Sequence, residues 1–313
     1  MQAVAFDAFG GPERLRIAEL PVPTPGAGEV VVAIAAAPIN PTDRLMLAGA
    51  QARMMEGLAP PFIAGMEFSG RVHTVGDGVD IAPGIPVIGV VNPRRPEGGA
   101  HSQFVKVSSV SVTPLSPQTD LIAASCVLMN GLTAKLAFDF LNLTPGHSVL
   151  VTGGAGMLGG YAIQLAKRAG LRVVADAADS DAPYLKTLGV DVIAPRGAAV
   201  HDVVRSAFPA GVDGLIDAAL ISAEVSSLVR DGGAAVSVRK SHPIEDPRLR
   251  AGSVMVTTAM QDKDALRFMA DLIERGELTP RVARVYDFQQ AAEAFQQSAS
   301  SGLRGRIVLR FAH

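Results

Sequence analysis

At 313 residues the chain is long enough for two domains, and 48% apolar against 19% charged residues excludes disorder. Its net charge of −2, with no basic run, leaves no footprint for nucleic acid or anionic lipid, and no uncharged apolar stretch is long enough to span a bilayer. A single cysteine, Cys126, excludes an internal disulfide framework and a multi-cysteine zinc cage.

Residues 1–7 lack the basic stretch and apolar core of a signal peptide, so the expectation is a cytoplasmic protein. Residues 1–120 read as β-rich. After a Pro/Gly-dense entry, Val30, Val32, Ile34 and Ala36 alternate, and strands are predicted over 69–75, 85–91 and 101–107. Near Thr119 the texture changes, and 120–129 and 133–141 read as helices broken around Gly131. Continuous apolar runs then recur at 148–151, 172–175, 214–218, 234–238 and 254–257, as strands of a parallel sheet covered on both faces require. After Met260 a helix over 264–275 puts Leu266, Met269, Leu272 and Ile273 on one face and stops at Gly276. Strand, helix and strand follow over 281–286, 289–300 and 306–311.

The chemistry concentrates at one turn. The strand Ser148-Val149-Leu150-Val151-Thr152 runs into Gly153 and then Gly154-Ala155-Gly156-Met157-Leu158-Gly159, with Leu158, Tyr161, Ala162, Leu165 and Ala169 at helical spacing behind it. Strand, G-x-G-x-x-G, helix and strand form one dinucleotide-binding βαβ unit. Gly154 is expected to permit the tight turn, Gly156 to let backbone amides approach a pyrophosphate, and Gly159 to let the helix pack on the strand. The helix N-terminus supplies donors and partial positive charge. The bland alternative is a glycine turn without a ligand.

The end of the next strand should read the adenosine ribose. Asp176, with no Lys or Arg before Lys186, leans toward NAD(H); solvated turn aspartates are the alternative.

Five stretches in order carry a family resemblance: Ile39-Asn40-Pro41-Thr42-Asp43, Gly65-Met66-Glu67-Phe68-Ser69-Gly70-Arg71-Val72, Gly98-Gly99-Ala100-His101-Ser102-Gln103-Phe104, Asn130-Gly131-Leu132-Thr133-Ala134 and Gly302-Leu303-Arg304-Gly305-Arg306-Ile307-Val308. The chain resembles the medium-chain dehydrogenase/reductase superfamily, in its quinone oxidoreductase (zeta-crystallin-like) branch. The resemblance implies an α/β fold: a doubly wound Rossmann sheet over 121–260, and a GroES-like β-rich catalytic domain over 1–120 completed by 261–313. It also implies a homodimer. Cofactor and acceptor are expected in a cleft at the carboxyl edge of the sheet.

The resemblance implies NAD(P)H-dependent hydride transfer to a small-molecule acceptor, a quinone or an α,β-unsaturated carbonyl. Zinc ligands of the superfamily's alcohol dehydrogenases align with Asn40, Met66 and Met129, so no zinc is expected. Asn40 is the candidate catalytic residue, with a turn role before Pro41 as the alternative. Asn130 and Thr133 resemble residues beside the nicotinamide and its ribose, and Val236 joins the cofactor set; helix-cap chemistry is the other reading of Asn130 and Thr133. The branch usually takes NADPH. The ribose-reading position aligns with Ala177, an alternating strand turns Asp176 to the other face, and Lys186 or Arg196 could meet a phosphate, so NADP(H) stands ahead of NAD(H).

Leu45 and Leu47 replace a family Tyr and Arg, which implies a more apolar pocket. Tyr161, Tyr184 and Tyr286 fall outside the expected site, leaving water to supply the proton. His73, His101, His147, His201, His242 and His313 show no metal-ligand spacing, and Cys126 reads as a core residue. The methionines Met46, Met54, Met55, Met66 and Met129 read as packing ahead of pocket lining. Two rival functions remain: an enoyl or alkenal reductase of a biosynthetic pathway, and a non-catalytic nucleotide binder.

Overall fold

The computed structural model describes residues 1–312; His313 lies outside them. By internal contact the chain divides into two units. One holds Met1–Met129, Met260–Gly276 and the residues from Pro280 on; the other holds Asn130–Ala259 and Glu277–Thr279. The first boundary thus falls at Met129, not at 120.

In chain order the elements are β1 (Gln2–Phe6), β2 (Arg16–Glu19), β3 (Glu29–Pro38), α1 (Pro41–Leu47), β4 (Phe62–Ile63), β5 (Glu67–Val75), β6 (Pro86–Val90), β7 (Phe104–Ser108), β8 (Val112–Pro114), α2 (Leu121–Ala124) and α3 (Leu128–Leu141). Then come β9 (Ser148–Thr152), α4 (Met157–Arg168), β10 (Arg172–Ala177), α5 (Ala182–Thr187), β11 (Val192–Pro195), α6 (Val200–Ala207), β12 (Val212–Asp217), α7 (Ser222–Val225), β13 (Val229–Ser237) and β14 (Arg250–Ser253). The chain closes with α8 (Lys263–Glu274), β15 (Val282–Asp287), α9 (Ala291–Ser298) and β16 (Arg306–Arg310). No helix among the described residues is long and apolar enough to cross a membrane.

The first unit is built around β3. Its long run of Val30, Val31, Val32 and Ile34 is wholly buried, and it pairs antiparallel with β5, β7 and β16. A Cβ on Gly70 of β5 would stand 2.2 Å from the Ala33 carbonyl oxygen, so glycine sets how closely these two strands run. Phe6, Ile34, Phe68, Phe288 and Phe295 share the core behind them. Burying such side chains contributes about 2 kcal/mol each.

The second unit is a doubly wound sheet, all parallel, in the order β11-β10-β9-β12-β13-β14. Strand order reverses between β9 and β12, which puts a ligand crevice at the carboxyl ends of those two strands. Asp217, at the end of β12, is fully buried there. Its carboxylate accepts the Thr152 hydroxyl at 2.7 Å and the amides of Ile221 and Ser222 at 3.0 and 2.8 Å.

Two expectations are corrected. Gly131 does not break a helix: the interruption lies at Ser125, whose hydroxyl donates to the Ile122 carbonyl, and α3 runs through Gly131. Buried Leu128 and Leu132 offset the roughly 1 kcal/mol cost of that glycine. The run at 254–257 is not a strand, because β14 ends at Ser253 where its neighbour β13 ends at Ser237, and Val256 buries itself in a 3-10 turn. The short elements β1, β2, β4, β11, α5 and α7 have too little periodicity to be read from sequence, whereas α6, with Val200 and Val204 buried one turn apart, went unread although its spacing is helical.

Asp217→Ala should lower stability to urea by about 3 kcal/mol, because it strands two amides and a hydroxyl in the interior. Asp217→Asn, which keeps an acceptor oxygen, should lose less. Equal midpoints for wild type and Asp217→Ala would exclude this role.

Candidate functional site

The glycine turn lies in the second unit, between β9 and α4. Gly153, not Gly154, carries the left-handed backbone, at φ 63°. Gly154 is small for another reason: its Cβ would come within 2.8 Å of the Ala175 Cβ, so it lets the turn lie against β10. A Cβ on Gly159 would stand 2.3 Å from the Gly153 carbonyl oxygen, which fixes the close seat of α4. Gly156 is the exposed N-cap of α4 and has no side chain to cap the first amides. A Cβ there would meet only the Gly153 carbonyl, at 3.1 Å, so the space beside Gly156 is otherwise open. Ala155 and Met157 are buried, at 1% and 8% exposure, so they offer backbone rather than side chain.

Asp176 faces the glycine turn. It is 5% exposed and its Oδ1 accepts the Gly153 amide at 2.5 Å, while its carbonyl accepts the Gly154 amide at 3.2 Å. Burial raises its carboxyl above the usual range, against the opposing pull of the Gly153 amide and Arg196. Of the two cations expected near a phosphate, Lys186 and Arg196, the one beside Asp176 is Arg196. It is exposed, 3.9 Å from Asp176 and 3.8 Å from Asp181. Thr152, Asp176, Gly197, Val200, Ile221, Glu224 and Val225 line a depression at this edge. Lys186 is exposed on the last turn of α5. Ala177 is buried at the end of β10, and Val236 is fully buried inside β13, so neither side chain is open to a cofactor. Asn130 and Thr133 sit three residues apart on α3, so they share a face, each 8% exposed.

In the first unit the candidate Asn40 is fully buried. It is the N-cap of α1, and its amide nitrogen donates to Glu67 Oε1 at 2.9 Å. Glu67 Oε2 accepts the Met129 backbone amide at 2.8 Å. One buried carboxylate thus ties Asn40 to Met129, with Met66 adjacent in sequence; these are the three positions singled out above by their alignment with zinc ligands. Sequence reasoning passed over Glu67, although an acid between Met66 and Phe68 at the start of a buried strand was the available signal. Burial pushes its carboxyl up to about 7, against the opposing Met129 and Asn40 hydrogen bonds. Asp43 beside it accepts the Asn40 amide at 2.7 Å and the Gly65 amide at 3.1 Å, and burial raises it too.

His101 is buried, with Nε2 3.1 Å from the Pro38 carbonyl and its ring edge-on to Phe295. Cys126 is a core thiol, pushed up to about 12 by burial. Leu47, Met46, Met55 and Met66 are core as well, while Met54 is exposed. No three His, Cys, Asp or Glu side chains among the described residues are grouped to hold a metal ion.

Residues 26–117 match the alcohol dehydrogenase GroES-like domain family, and residues 188–309 match the zinc-binding dehydrogenase family. A chloroplastic quinone oxidoreductase of Triphysaria versicolor is 26% identical over 99% of this chain and 98% of that protein. The quinone oxidoreductase of Mus musculus is also 26% identical, over 99% and 97%. The solved quinone oxidoreductase of Coxiella burnetii superposes with a TM-score of 0.88 at 24% identity, over 100% of this chain and 99% of that one, a likeness of fold.

The buried acid makes a pH prediction. Glu67 keeps its proton in the folded chain up to about 7, whereas the unfolded chain loses it near 4.5. Between those values the folded state binds more protons, so the Glu67 contribution to stability falls as pH rises and levels off above about 7. Glu67→Gln should remove that slope. Between about pH 5 and about pH 8 the variant should gain on the order of 3 kcal/mol relative to wild type, read from urea midpoints. Parallel midpoints for the two proteins would count against it.

Proposed function

Because the chain belongs to the medium-chain dehydrogenase/reductase family, in its quinone oxidoreductase branch, we propose that it is a zinc-independent, NADPH-preferring reductase of quinones and α,β-unsaturated carbonyls. The observation that carries this reading is the uncapped N-terminus of α4 behind the exposed Gly156, at the switch point of a parallel sheet. A pyrophosphate fits there, where any larger residue would intrude.

In this reading the amides of Met157, Leu158 and Gly159 hold the diphosphate. Asn130 and Thr133 take the nicotinamide end, and Arg196 takes the 2′-phosphate that separates NADPH from NADH. Asp176, committed to Gly153, cannot compete for ribose hydroxyls. Reduced nicotinamide supplies a hydride, and a conjugated acceptor spreads the incoming charge onto a distant oxygen, which lessens the need for a metal. Water supplies the balancing proton. An amide and two thioethers at Asn40, Met66 and Met129 make a poor zinc donor set, which supports the metal-free reading. Asn40, buried on Glu67, enters as support for that region rather than as the group touching the acceptor. A homodimer belongs to the same reading: β14 is an edge strand paired with β13, with Ala251, Ser253 and Met255 exposed.

NADPH oxidation with a naphthoquinone and with cinnamaldehyde tests the reading. Gly156→Asp puts a carboxylate at the phosphate seat and should weaken NADPH at least about 100-fold. Arg196→Gln should weaken NADPH about tenfold and leave NADH within about twofold. No turnover with either acceptor would sink the reductase reading. Tighter NADH than NADPH binding would overturn the coenzyme assignment, and activity lost on chelation and restored by zinc would overturn the metal-free one.

A further inference from the structure

Among the described residues, backbone with positive φ falls on glycine with two exceptions, Asn142 and Leu220. Asparagine tolerates the left-handed region, because its short polar side chain can bond locally. A leucine there drives its Cβ against the following carbonyl and stores strain. Leu220, at φ 62°, is therefore the outlier. It lies within the second unit, on the loop between β12 and α7.

The loop is pinned on both sides of it. The Ala218 amide donates to the Ile216 carbonyl at 3.2 Å, and the Ala219 amide to the Thr152 hydroxyl at 2.9 Å. Beyond Leu220, the amides of Ile221 and Ser222 donate to the buried Asp217 carboxylate. These bonds fix the chain before and after position 220 and leave the left-handed step to it. Strain of this kind persists only where the surroundings over-determine it, and it gathers at active sites and ligand clamps. A glycine would make the same turn without strain. What leucine adds at this position is its side chain.

The loop borders the crevice at the switch point of the sheet. There β9 and β12 run side by side, with Thr152 level with Asp217. The glycine turn follows β9, the Leu220 loop follows β12, and the two lie against each other: a Cβ on Gly153 would stand 3.4 Å from the Ala219 Cβ. On the other side of Leu220, Ile221 lines the depression it shares with Thr152 and Asp176. Leu220 itself is half-buried, so apolar surface remains for a ligand to cover.

We infer that Leu220 is a coenzyme-contacting residue, kept in a strained conformation so that its side chain packs on the dinucleotide bound at the glycine turn. The inference rests on the coenzyme-binding reading and concerns the second unit alone. An apolar contact does not tell a phosphate from a hydroxyl, so it serves NADPH and NADH alike.

The test separates the strain from the contact. Leu220→Gly and Leu220→Ala both remove the side chain, but only glycine also relieves the left-handed backbone. Leu220→Gly should therefore melt about 2 °C or more above Leu220→Ala. Both variants should nevertheless bind NADPH and NADH about tenfold more weakly, read as Kd by calorimetry on the full chain, because the contact is gone from both. Leu220→Met, which keeps an apolar side chain of similar volume, should stay within about threefold of wild type. An alanine variant as stable as the glycine variant would overturn the inference, since no strain would then be stored. Wild-type Kd in both would overturn it, because the side chain would touch nothing that binds. Recovery of wild-type Kd in Leu220→Gly alone would overturn it too, because the residue would then act only through loop geometry. Failure of the coenzyme reading looks different: wild type would bind neither NADPH nor NADH, and the inference would fall with it.

Discussion

The second unit depends on how its first turn disposes of its backbone amides. Asp176 reaches across from β10 and takes the Gly153 amide, and its carbonyl takes that of Gly154. The turn is thereby held from within the sheet. Gly156 donates its own amide back to the Gly153 carbonyl, and the next three amides begin α4 with no side chain closing them off. Orphan donors at a helix N-terminus, backed by the helix dipole, make a seat for an anion. The same commitment turns the Asp176 carboxylate inward, with the exposed Arg196 3.9 Å from it.

The first unit solves a related problem with buried acids. Glu67 and Asp43 are both removed from water beside Asn40, and each is held by hydrogen bonds from amides. Buried carboxylates on such terms rigidify what they touch, and here they touch the start of α1, Gly65 two residues before β5, and the start of α3. The Asn40-Pro41 pair is thus explained by capping and support. Its side-chain amide donates to Glu67, while Thr42, Gln51 and Arg94 nearby form a partly exposed hydrogen-bonded chain.

Much of this could be read from residue order. The apolar run of β9, the glycines after it and the amphipathic spacing of α4 announce a dinucleotide-binding unit, because every feature lies within one stretch of chain. The helix with Leu266, Met269 and Leu272 inward follows from spacing alone, and those side chains are buried. Gly131 misled because a glycine weakens a helix by an amount that burial of its neighbours readily offsets. Asp176 stayed open in the sequence because its carboxylate can face ribose or turn, and its partner in the fold, Gly153, is far away in sequence.

By itself, then, the sequence determined the periodic elements, the order of the two units and the glycine-rich turn between β9 and α4, since these rest on local spacing and backbone sterics. Only the tertiary structure decided that Asn40 is buried on Glu67, that Asp176 faces inward and that Val236 is sealed in its strand. Those outcomes are set by partners distant in sequence, and a side chain's hydrogen bonds and desolvation exist only once the fold has brought those partners to it.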